Sequence, residues 1–199
     1  MQTIWQLAGE RRTLAAVRHW KLHKTVVLVG MMGAGKTAVG KALAARLGVP
    51  FLDSDAEIER AANMRIAEIF ARDGEAFFRD RETQVINRLL DNQRGILSTG
   101  GGAFLAERNR RMISEKGVSV WLDADLPILW NRVKHKDTRP LLRTEKPHAT
   151  LKALYEARVP VYATADLSVK AQSDYAIETM AGKVIETLLT RPDVLEEGE

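Results

Sequence analysis

The chain has 199 residues, of which 45% are hydrophobic and 28% are charged, as is typical of one globular domain with a substantial apolar core. It has no cysteine, which excludes disulfides, thiolate metal ligands and cysteine nucleophiles, and its net charge of +4 favours anionic partners such as nucleotides, acidic metabolites or nucleic acid. No apolar run approaches the roughly 18 residues that cross a bilayer, and the N-terminal stretch lacks the apolar segment of a signal peptide, so we expect a cytoplasmic protein with no membrane partner.

Short apolar runs alternate with longer helical patterns along the chain. The run at 25–30 predicts a buried strand, and the pattern at 38–48 predicts a helix that ends at Gly48. The other predicted strands are 49–55, 95–102, 118–123 and 166–170. Between the second and third strands the sequence is mainly helical, with a break at Gly74. This alternation favours an α/β fold in which helices cover both faces of a parallel sheet.

Three segments stand outside this alternation. Residues 134–149 are polar, basic and contain two prolines, so they form either an ordinary connection or a mobile lid over a site. Residues 1–24 fit an amphipathic helix only loosely and are predicted to be an extension that packs on the domain, frays, or contacts an anionic surface. Residues 191–199 form an acidic tail, which leaves 25–190 as the single predicted domain.

The stretch GMMGAGKT, residues 30–37, matches the phosphate-loop pattern G-x-x-x-x-G-K-S/T. Glycines in this order let backbone N–H groups turn towards phosphate oxygens, and the helix that follows adds its positive N-terminal end. Lys36 is placed to reach the β and γ phosphates, and the Thr37 hydroxyl to bind Mg²⁺. A glycine-rich turn without a nucleotide is the alternative, but a strand precedes the loop and a helix follows it. The part of the predicted ATP-binding set that lies in the loop and the start of the helix is Gly33, Ala34, Gly35, Lys36, Thr37 and Ala38.

Two aspartates, Asp53 and Asp55, follow the second predicted strand in the stretch FLDSD. Ligands of open α/β sheets gather beyond the carboxyl ends of the strands, so both carboxylates are expected to face the same crevice as the phosphate loop. One would hold Mg²⁺ or its water, and the other would accept a hydrogen bond from an attacking hydroxyl. The alternative is that Asp55 only caps the following helix.

Further residues indicate an acceptor with a negative charge. Arg79 is followed three residues later by Glu82, a spacing that allows an ion pair on one helical face. Arg158 lies just before a proline that ends a helical pattern, and the guanidinium fork suits a carboxylate. The stretch STGGGA, 98–103, offers a second set of backbone donors. Taken singly, each arginine could be a solvated surface residue and the glycines a flexible turn.

In this order and at these separations, GMMGAGKT, LDSD, FFRDRE, STGGGA, DTRPLL and YEARVPVY resemble the motifs of shikimate kinases over about residues 25–190. The resemblance implies a three-layer α/β fold of the nucleoside-monophosphate-kinase-like P-loop family, with a five-stranded parallel sheet in the order 2-3-1-4-5 and a mobile lid. It also implies the transfer of the ATP γ-phosphate to the 3-hydroxyl of shikimate, which gives shikimate 3-phosphate and ADP on the route to chorismate and the aromatic amino acids.

The resemblance also assigns roles to residues. It implies three catalytic residues, Lys36 on the transferring phosphates, Asp55 on the acceptor hydroxyl and Arg139 swinging in with the lid. It implies that Thr37 binds Mg²⁺ and that Asp53 supports the ion through water. Arg132 against adenine and Arg139 towards the phosphates would complete the nucleotide-binding set. The implied shikimate-binding set is Asp55, Arg79, Gly101, Gly102 and Arg158.

Two other functions compete with this interpretation. A gluconate-type kinase has a related fold and also phosphorylates a hydroxyl of a carboxylate substrate, although the DSD, GGG and RPLL motifs fit it less well. A non-catalytic nucleotide- or nucleic-acid-binding module is compatible with the basic charge, but the basic residues are scattered and form no platform with aromatic residues. We expect a monomer that binds shikimate, ATP and Mg²⁺ and no nucleic acid. Its N-terminal extension is longer than is common in the family.

Overall fold

The structure is a computed structural model that describes residues 19–135 and 140–198. Within these ranges the strands are β1 (Trp20–Leu22), β2 (Thr25–Val29), β3 (Phe51–Asp53), β4 (Ile96–Ser98), β5 (Gly117–Asp123), β6 (Leu167–Lys170) and β7 (Leu195–Glu197). The α-helices are α1 (Lys36–Leu47), α2 (Ser54–Ala62), α3 (Ile66–Asn92), α4 (Glu107–Lys116), α5 (Leu126–Val133), α6 (Pro147–Tyr162) and α7 (Ile177–Leu188). Short 3-10 turns span Ala103–Leu105 and Pro140–Leu142.

The main sheet has five parallel strands in the order β3-β4-β2-β5-β6. Counted along the chain among these strands alone, the order is 2-3-1-4-5, as the resemblance implies. The central strand β2 has the sequence TVVLV, and all five of its residues are buried, as expected for a β-branched strand covered on both faces. Helices flank the sheet, with α1 and α7 packed on each other and α4 packed on β5. The predicted fold class is therefore confirmed.

The carboxyl ends of the strands meet at one edge of this sheet. Asp53 at the end of β3 is paired in register with Ser98 at the end of β4, and Ser98 is paired with Leu28 of β2. Because the strands are parallel, the loops that leave them after these residues open on the same side. That edge therefore carries the phosphate loop, the two aspartates and the glycine-rich stretch.

The helical region between β3 and β4 is divided at two points. Asn63, with φ 47°, is the left-handed residue that ends α2. Helix α3 then kinks at Gly74, whose φ of 84° and ψ of 172° are not helical. Glycine adopts this conformation without the steric cost that a Cβ would add. The predicted break at Gly74 is confirmed, whereas the earlier break at Asn63 was not predicted.

A second, two-stranded sheet joins residues near the two ends of the described chain. Strands β1 and β7 pair antiparallel, with Trp20 opposite Glu197 and Leu22 opposite Leu195. An ion pair of 2.8 Å between Lys24 and Asp193 lies beside this sheet. The sequence predicts neither strand, since β1 falls in the predicted extension and β7 in the predicted tail. Residues 1–18 and 199 of those segments lie outside the described residues.

Leu195→Ala tests whether β7 belongs to the folded unit. Leu195 is 1% exposed, so we expect its truncation to lower the free energy of unfolding by about 2–4 kcal/mol. Urea denaturation followed by circular dichroism measures this change. Turnover well below the melting transition should stay normal, because β7 lies outside the edge of the main sheet that carries the loops. A loss below about 0.5 kcal/mol would show that β7 contributes little to the fold.

Among the described residues, no helix combines the length and the apolar character that crossing a bilayer requires.

Candidate active site

A cleft of about 760 Å³ opens at the carboxyl edge of the main sheet. It is lined on one side by the phosphate loop and the start of α1, and on the other by Asp53, Asp55 and residues 98–101. The six predicted ATP-binding residues of the loop and the start of α1 all line it, namely Gly33, Ala34, Gly35, Lys36, Thr37 and Ala38. The structure therefore places the predicted phosphate-binding loop and the predicted acceptor carboxylates in one cavity.

The phosphate loop has the geometry that its glycines predict. Gly30, Gly33 and Gly35 have φ values of 136°, 85° and 96°, and Gly35 stands immediately before the first residue of α1. A Cβ on Gly33 would lie 2.7 Å from a methyl carbon of Val133, so the loop also depends on glycine for close packing. Strand, glycine loop and helix N-terminus follow one another, which is the context that the motif requires.

Lys36 and Thr37, the last two residues of the loop motif, point towards different parts of the cleft. The Lys36 ammonium donates hydrogen bonds to the carbonyls of Gly30 and Met31, at 2.8 and 3.1 Å, so its side chain folds back along the loop. The Thr37 hydroxyl lies 3.5 Å from the hydroxyl of Ser98 at the end of β4. Two hydroxyl oxygens and the Asp53 carboxylate thus line the same cavity.

Arg132, near the end of α5, lines the cleft and covers the phosphate loop. Its guanidinium donates to the carbonyls of Gly33 and Ala34, at 3.4 and 3.3 Å. The position fits a nucleotide contact, and the orientation against adenine stays a prediction. Arg139, predicted to act from the lid, lies outside the described residues.

Asp53, not Asp55, caps helix α2. Oδ1 of Asp53 accepts hydrogen bonds from the backbone N–H groups of Asp55 and Ala56, at 3.1 and 3.2 Å. The alternative that Asp55 only caps this helix is therefore wrong. Asp55 lies in the first turn of α2, and its Oδ1 is 2.8 Å from the point where a Cβ on Gly100 would stand. The absence of a side chain at Gly100 lets this carboxylate lie against the glycine-rich loop.

The predicted ion pair between Arg79 and Glu82 is present. Nη1 of Arg79 lies 2.9 Å from Oε2 of Glu82, whose side chain is 1% exposed, and Glu75 approaches the same guanidinium at 3.2 Å. Burial lowers the pKa of the Arg79 guanidinium, but the hydrogen bonds and charges of Glu82 and Glu75 raise it by more, so the net pKa is raised. Burial raises the pKa of Glu82 more than Arg79 lowers it, and the negative charge of Asp55 adds to the increase.

Glu82→Gln tests this buried carboxyl. Because the folded-state pKa of Glu82 lies above its ordinary 4.5, the stabilisation from its bound proton is fully present below pH 4.5 and is lost as the pH rises through the raised pKa. Glutamine does not titrate. We therefore expect the free energy of unfolding of the native protein, minus that of the variant, to be largest below pH 4.5 and to fall as the pH rises. Urea denaturation at a series of pH values measures it, and a difference that grows with pH would contradict the expectation.

The glycine-rich loop and Arg79 are in direct contact. A Cβ on Gly102 would lie 2.6 Å from both terminal nitrogens of Arg79, so only glycine lets the guanidinium lie flat on the backbone here. A Cβ on Gly101 would lie 3.8 Å from the carbonyl oxygen of Gly30, which places this loop beside the phosphate loop. Residues 101 and 102 thus connect the phosphate half of the site to its arginine half.

Arg158 forms a hydrogen bond with the hydroxyl of Tyr162, and the charge of Arg79 also acts on this hydroxyl. This tyrosine, at the end of α6, is fully buried and donates a hydrogen bond to the carbonyl of Gly101. Burial raises its pKa, while a hydrogen bond and the charge of Arg158, together with the charge of Arg79, act in the opposite direction. The predicted set of Asp55, Arg79, Gly101, Gly102 and Arg158 is therefore brought together. The sequence interpretation missed Tyr162, which lies one helical turn after Arg158.

A further part of the cleft wall was not predicted. It comes from the segment after β6 and from the start of α7, and consists of Ser173, Tyr175, Ala176, Ile177 and Met180. These residues carry no glycine pattern and no charge pattern. The signal that could have found them is their position after the carboxyl end of the fifth strand of the main sheet.

Part of the predicted lid, 134–149, is described. Leu142 is buried, whereas Leu141 is 52% exposed. The ring of Trp130 on α5 packs edge-on against the ring of His148 on α6, with centroids 5.0 Å apart. This contact joins the two helices from which the segment leaves and returns. Residues 136–139 lie outside the described residues. The movement of the segment as a lid stays a prediction.

The family model described as shikimate kinase matches residues 32–189. A shikimate kinase of Ruegeria pomeroyi is 74% identical over 88% of this chain and 90% of its own length, and one of Cereibacter sphaeroides is 68% identical over 90% and 89%. A solved structure, shikimate kinase from Acinetobacter baumannii in complex with shikimate, has a TM-score of 0.79 and 39% identity over 84% of this chain and 93% of that one.

A gluconokinase from Sinorhizobium meliloti is similar in structure at a lower level. Its TM-score is 0.56 and its sequence identity is 16%, over 85% of this chain and 94% of that chain. At this identity the similarity shows a common fold and nothing more.

Proposed function

This chain belongs to the shikimate kinase family, and we infer from that membership that its cleft transfers the γ-phosphate of ATP to the 3-hydroxyl of shikimate. The products are shikimate 3-phosphate and ADP, and the reaction serves the synthesis of chorismate and the aromatic amino acids. The observation that carries this conclusion is that Arg79 lies against Gly102, Asp55 lies against Gly100, and Arg158 is linked to Gly101 through the hydroxyl of Tyr162.

Arg79 and Arg158 are assigned to the carboxylate of shikimate. Two guanidinium forks can bind the two carboxylate oxygens with paired hydrogen bonds, which fixes the direction of the ring as well as its place. Arg79 keeps its orientation through the buried Glu82, and Gly102 leaves room for it. Backbone N–H groups of Gly101 and Gly102 would add donors on the same side.

Asp55 is assigned to the acceptor hydroxyl. Its carboxylate lies against Gly100 and lines the same cleft as the phosphate loop, where a hydroxyl on a bound ring would approach the terminal phosphate. Accepting a hydrogen bond from that hydroxyl aligns the oxygen for in-line attack. Phosphoryl transfer requires little other covalent work from a protein, because alignment and charge neutralisation lower most of the barrier.

Lys36 and Arg139 are assigned to the charge of the transferring group, and Arg132 to the nucleotide. Lys36 follows the loop glycines directly and would exchange its carbonyl partners for phosphate oxygens. Arg132 already lies on the loop carbonyls at the mouth of the cleft. Arg139 would approach from the lid, so its contribution depends on closure, which also excludes water and limits ATP hydrolysis.

The oxygen donors in the cleft fit Mg²⁺. The described residues contain no cluster of three His, Cys, Asp or Glu that would bind a metal alone, and Mg²⁺ in kinases is shared with phosphate oxygens and water. Thr37 would hold the ion through its hydroxyl, which is 3.5 Å from that of Ser98, and Asp53 would hold it through water. When bound, the ion neutralises charge on the phosphates. Oδ1 of Asp53 accepts both hydrogen bonds that cap helix α2, so the cap does not involve Oδ2, the other oxygen of this carboxylate.

Arg158→Lys tests the arginine pair. Lysine keeps the charge but not the planar fork, so we expect the KM for shikimate to rise about tenfold while kcat changes less than about threefold. Steady-state kinetics with shikimate varied at saturating ATP give both constants. Arg111→Lys, an exposed arginine on α4, serves as the matched control. An unchanged KM for shikimate would remove Arg158 from the carboxylate site.

The reaction itself is tested by measuring ADP release from ATP and Mg²⁺ with shikimate, gluconate, a nucleoside monophosphate or no acceptor. We expect turnover with shikimate alone, and the product should be the 3-phosphate by NMR. Turnover with gluconate alone would leave the phosphate half of the site in place and require a new assignment of the arginines. ATP binding without any turnover would favour the non-catalytic alternative, and steeply salt-dependent binding of nucleic acid would point the same way.

We further propose a monomer in the cytoplasm without a nucleic-acid partner. The basis is the small-molecule scale of the cleft, the absence of cysteine and the scattered basic residues. Sedimentation velocity over a range of protein concentrations tests the oligomeric state, and a mass that rises with concentration would contradict a monomer.

A further inference from the structure

A second cavity, of about 470 Å³, lies between helices α2 and α3 and shares no residue with the phosphotransfer cleft. We call it the α2–α3 groove. Its floor is apolar and includes Ile58, Ile69 and Val85, which are all nearly inaccessible to solvent. Its rim carries three arginines, Arg72, Arg81 and Arg88. An apolar floor beneath a ring of guanidinium groups matches a ligand that has an apolar body and a negative charge.

Two of the rim arginines already have carboxylate partners. Arg72 forms a paired contact with Asp73, with nitrogen–oxygen distances of 2.7 to 3.0 Å. Arg88 lies 3.2 Å from Glu57, which also binds Arg60. These pairs fix the two guanidiniums at the rim but cancel much of their charge. The charge available to an anion therefore depends on the third arginine.

Arg81 is the arginine whose charge is not opposed in this way. In the part of the chain that the structure describes, it forms no ion pair; its guanidinium donates to the amide oxygen of Gln84 at 2.9 Å and lies 4.8 Å from the ring centre of Phe77. The stacking on Phe77 holds the guanidinium beside the apolar floor. The exposed guanidinium and the adjoining ring form a binding edge for a carboxylate that carries a ring.

Phe77 is itself unusual in its exposure. Among the described residues, the large apolar side chains with the greatest exposure to solvent are Phe77 at 37%, Leu141 at 52% and Ile177 at 50%. Leu141 belongs to the predicted lid, and Ile177 lines the phosphotransfer cleft. Phe77 has no such place in the reaction, and it lines the α2–α3 groove. Its exposure is explained if a ligand covers it.

We propose that the α2–α3 groove is a binding site for a small amphipathic carboxylate, with the carboxylate on Arg81 and the apolar ring on Phe77 and the floor. The size of the groove suits a small molecule, and Arg81 gives its rim a positive charge opposite to that of such a ligand. The site lies apart from the arginine pair at Arg79 and Arg158, so the two carboxylate sites can be occupied together.

Phenylacetate is a suitable probe, with phenylacetamide as its neutral match and acetate as its match without a ring. Titration into ¹⁵N-labelled protein, in the presence of saturating shikimate, should give saturable shifts of amide resonances within 58–62 and 77–88 at millimolar probe. We expect phenylacetamide and acetate to bind at least about tenfold more weakly. Shikimate is included because phenylacetate would otherwise also bind the arginine pair of the acceptor site.

Three variants locate the contact. Arg81→Gln and Phe77→Ser should each weaken phenylacetate binding by about tenfold, since each removes one half of the binding edge. Arg111→Gln, which changes an exposed arginine on α4, should leave it unchanged. Thermal unfolding of each variant confirms that it is folded.

Three results would overturn the proposal. The first is loss of phenylacetate binding on addition of shikimate, which would place the probe in the acceptor site. The second is binding that Arg81→Gln does not weaken. The third is a concentration-dependent dimer, seen by sedimentation, that Phe77→Ser dissociates and phenylacetate does not affect; the groove would then bind a second copy of the chain.

Discussion

Asp55→Asn is expected to lower kcat for shikimate phosphorylation by ~10³-fold while the Kd for ATP stays within about twofold of its original value. Asparagine keeps the shape of the side chain against Gly100 but removes the negative charge that accepts the acceptor hydroxyl's hydrogen bond. The phosphate loop and Arg132 are untouched by the change. Rapid-quench kinetics measure the phosphoryl-transfer step, and equilibrium titration with ATP measures binding.

The matched control for this variant is Asp91→Asn. Asp91 is an exposed carboxylate at the end of α3, where it pairs with Lys116, so its loss should leave kcat unchanged. The proposed role of Asp55 would be ruled out by near-normal turnover of Asp55→Asn. Equal losses in kcat and in ATP binding would instead indicate that the variant disturbs the whole cleft.

Gly102→Ala is expected to raise the KM for shikimate by about 10- to 100-fold, with a much smaller change in the Kd for ATP. A Cβ at this position would lie 2.6 Å from both terminal nitrogens of Arg79, so the guanidinium must move. Its partner Glu82 is buried and cannot follow, so the movement weakens the ion pair and tilts the fork away from the substrate carboxylate. Steady-state kinetics and thermal unfolding separate this effect from a general loss of structure.

Gly101→Ala provides the comparison. The atoms nearest to a Cβ there are 3.8 Å away, an ordinary contact distance, so we expect a smaller rise in the KM for shikimate. If both variants behave alike, the contact between Gly102 and Arg79 is not what determines substrate affinity. If Gly102→Ala has a normal KM, Arg79 binds the carboxylate in a position other than the one seen against the glycine loop.

Local chemistry explains why so much of the site could be predicted. The phosphate loop is a contiguous motif whose glycines have the positive φ values that the sequence implies. The pair of Arg79 and Glu82 follows from helical spacing alone. The five strands of the main sheet follow from short apolar runs, but their order does not, because pairing between strands is a long-range property. That order came from the resemblance.

Long-range placement explains most of what was missed, and the exact start of one helix explains the rest. The cap on α2 was uncertain by two residues, because Asp53 and Asp55 are both good capping residues and the exact start of the helix decides between them. Tyr162 reaches Gly101 from 61 residues away. The wall after β6 lines the cleft only because the sheet brings the end of its fifth strand beside the phosphate loop. The contacts of Tyr162 and of the wall after β6 have no local signature in the sequence.

The pairing of β1 with β7 has a consequence for folding during synthesis. Residues 20–22 are made before every element of the main sheet, whereas residues 195–197 are the last described strand to leave the ribosome. Until residues 195–197 have left the ribosome, β1 therefore lacks its partner strand. A strand edge left open for that time risks pairing with another nascent chain, and Lys21 and Lys24 supply the charge that discourages such pairing. Pairing with residues 195–197 closes this edge.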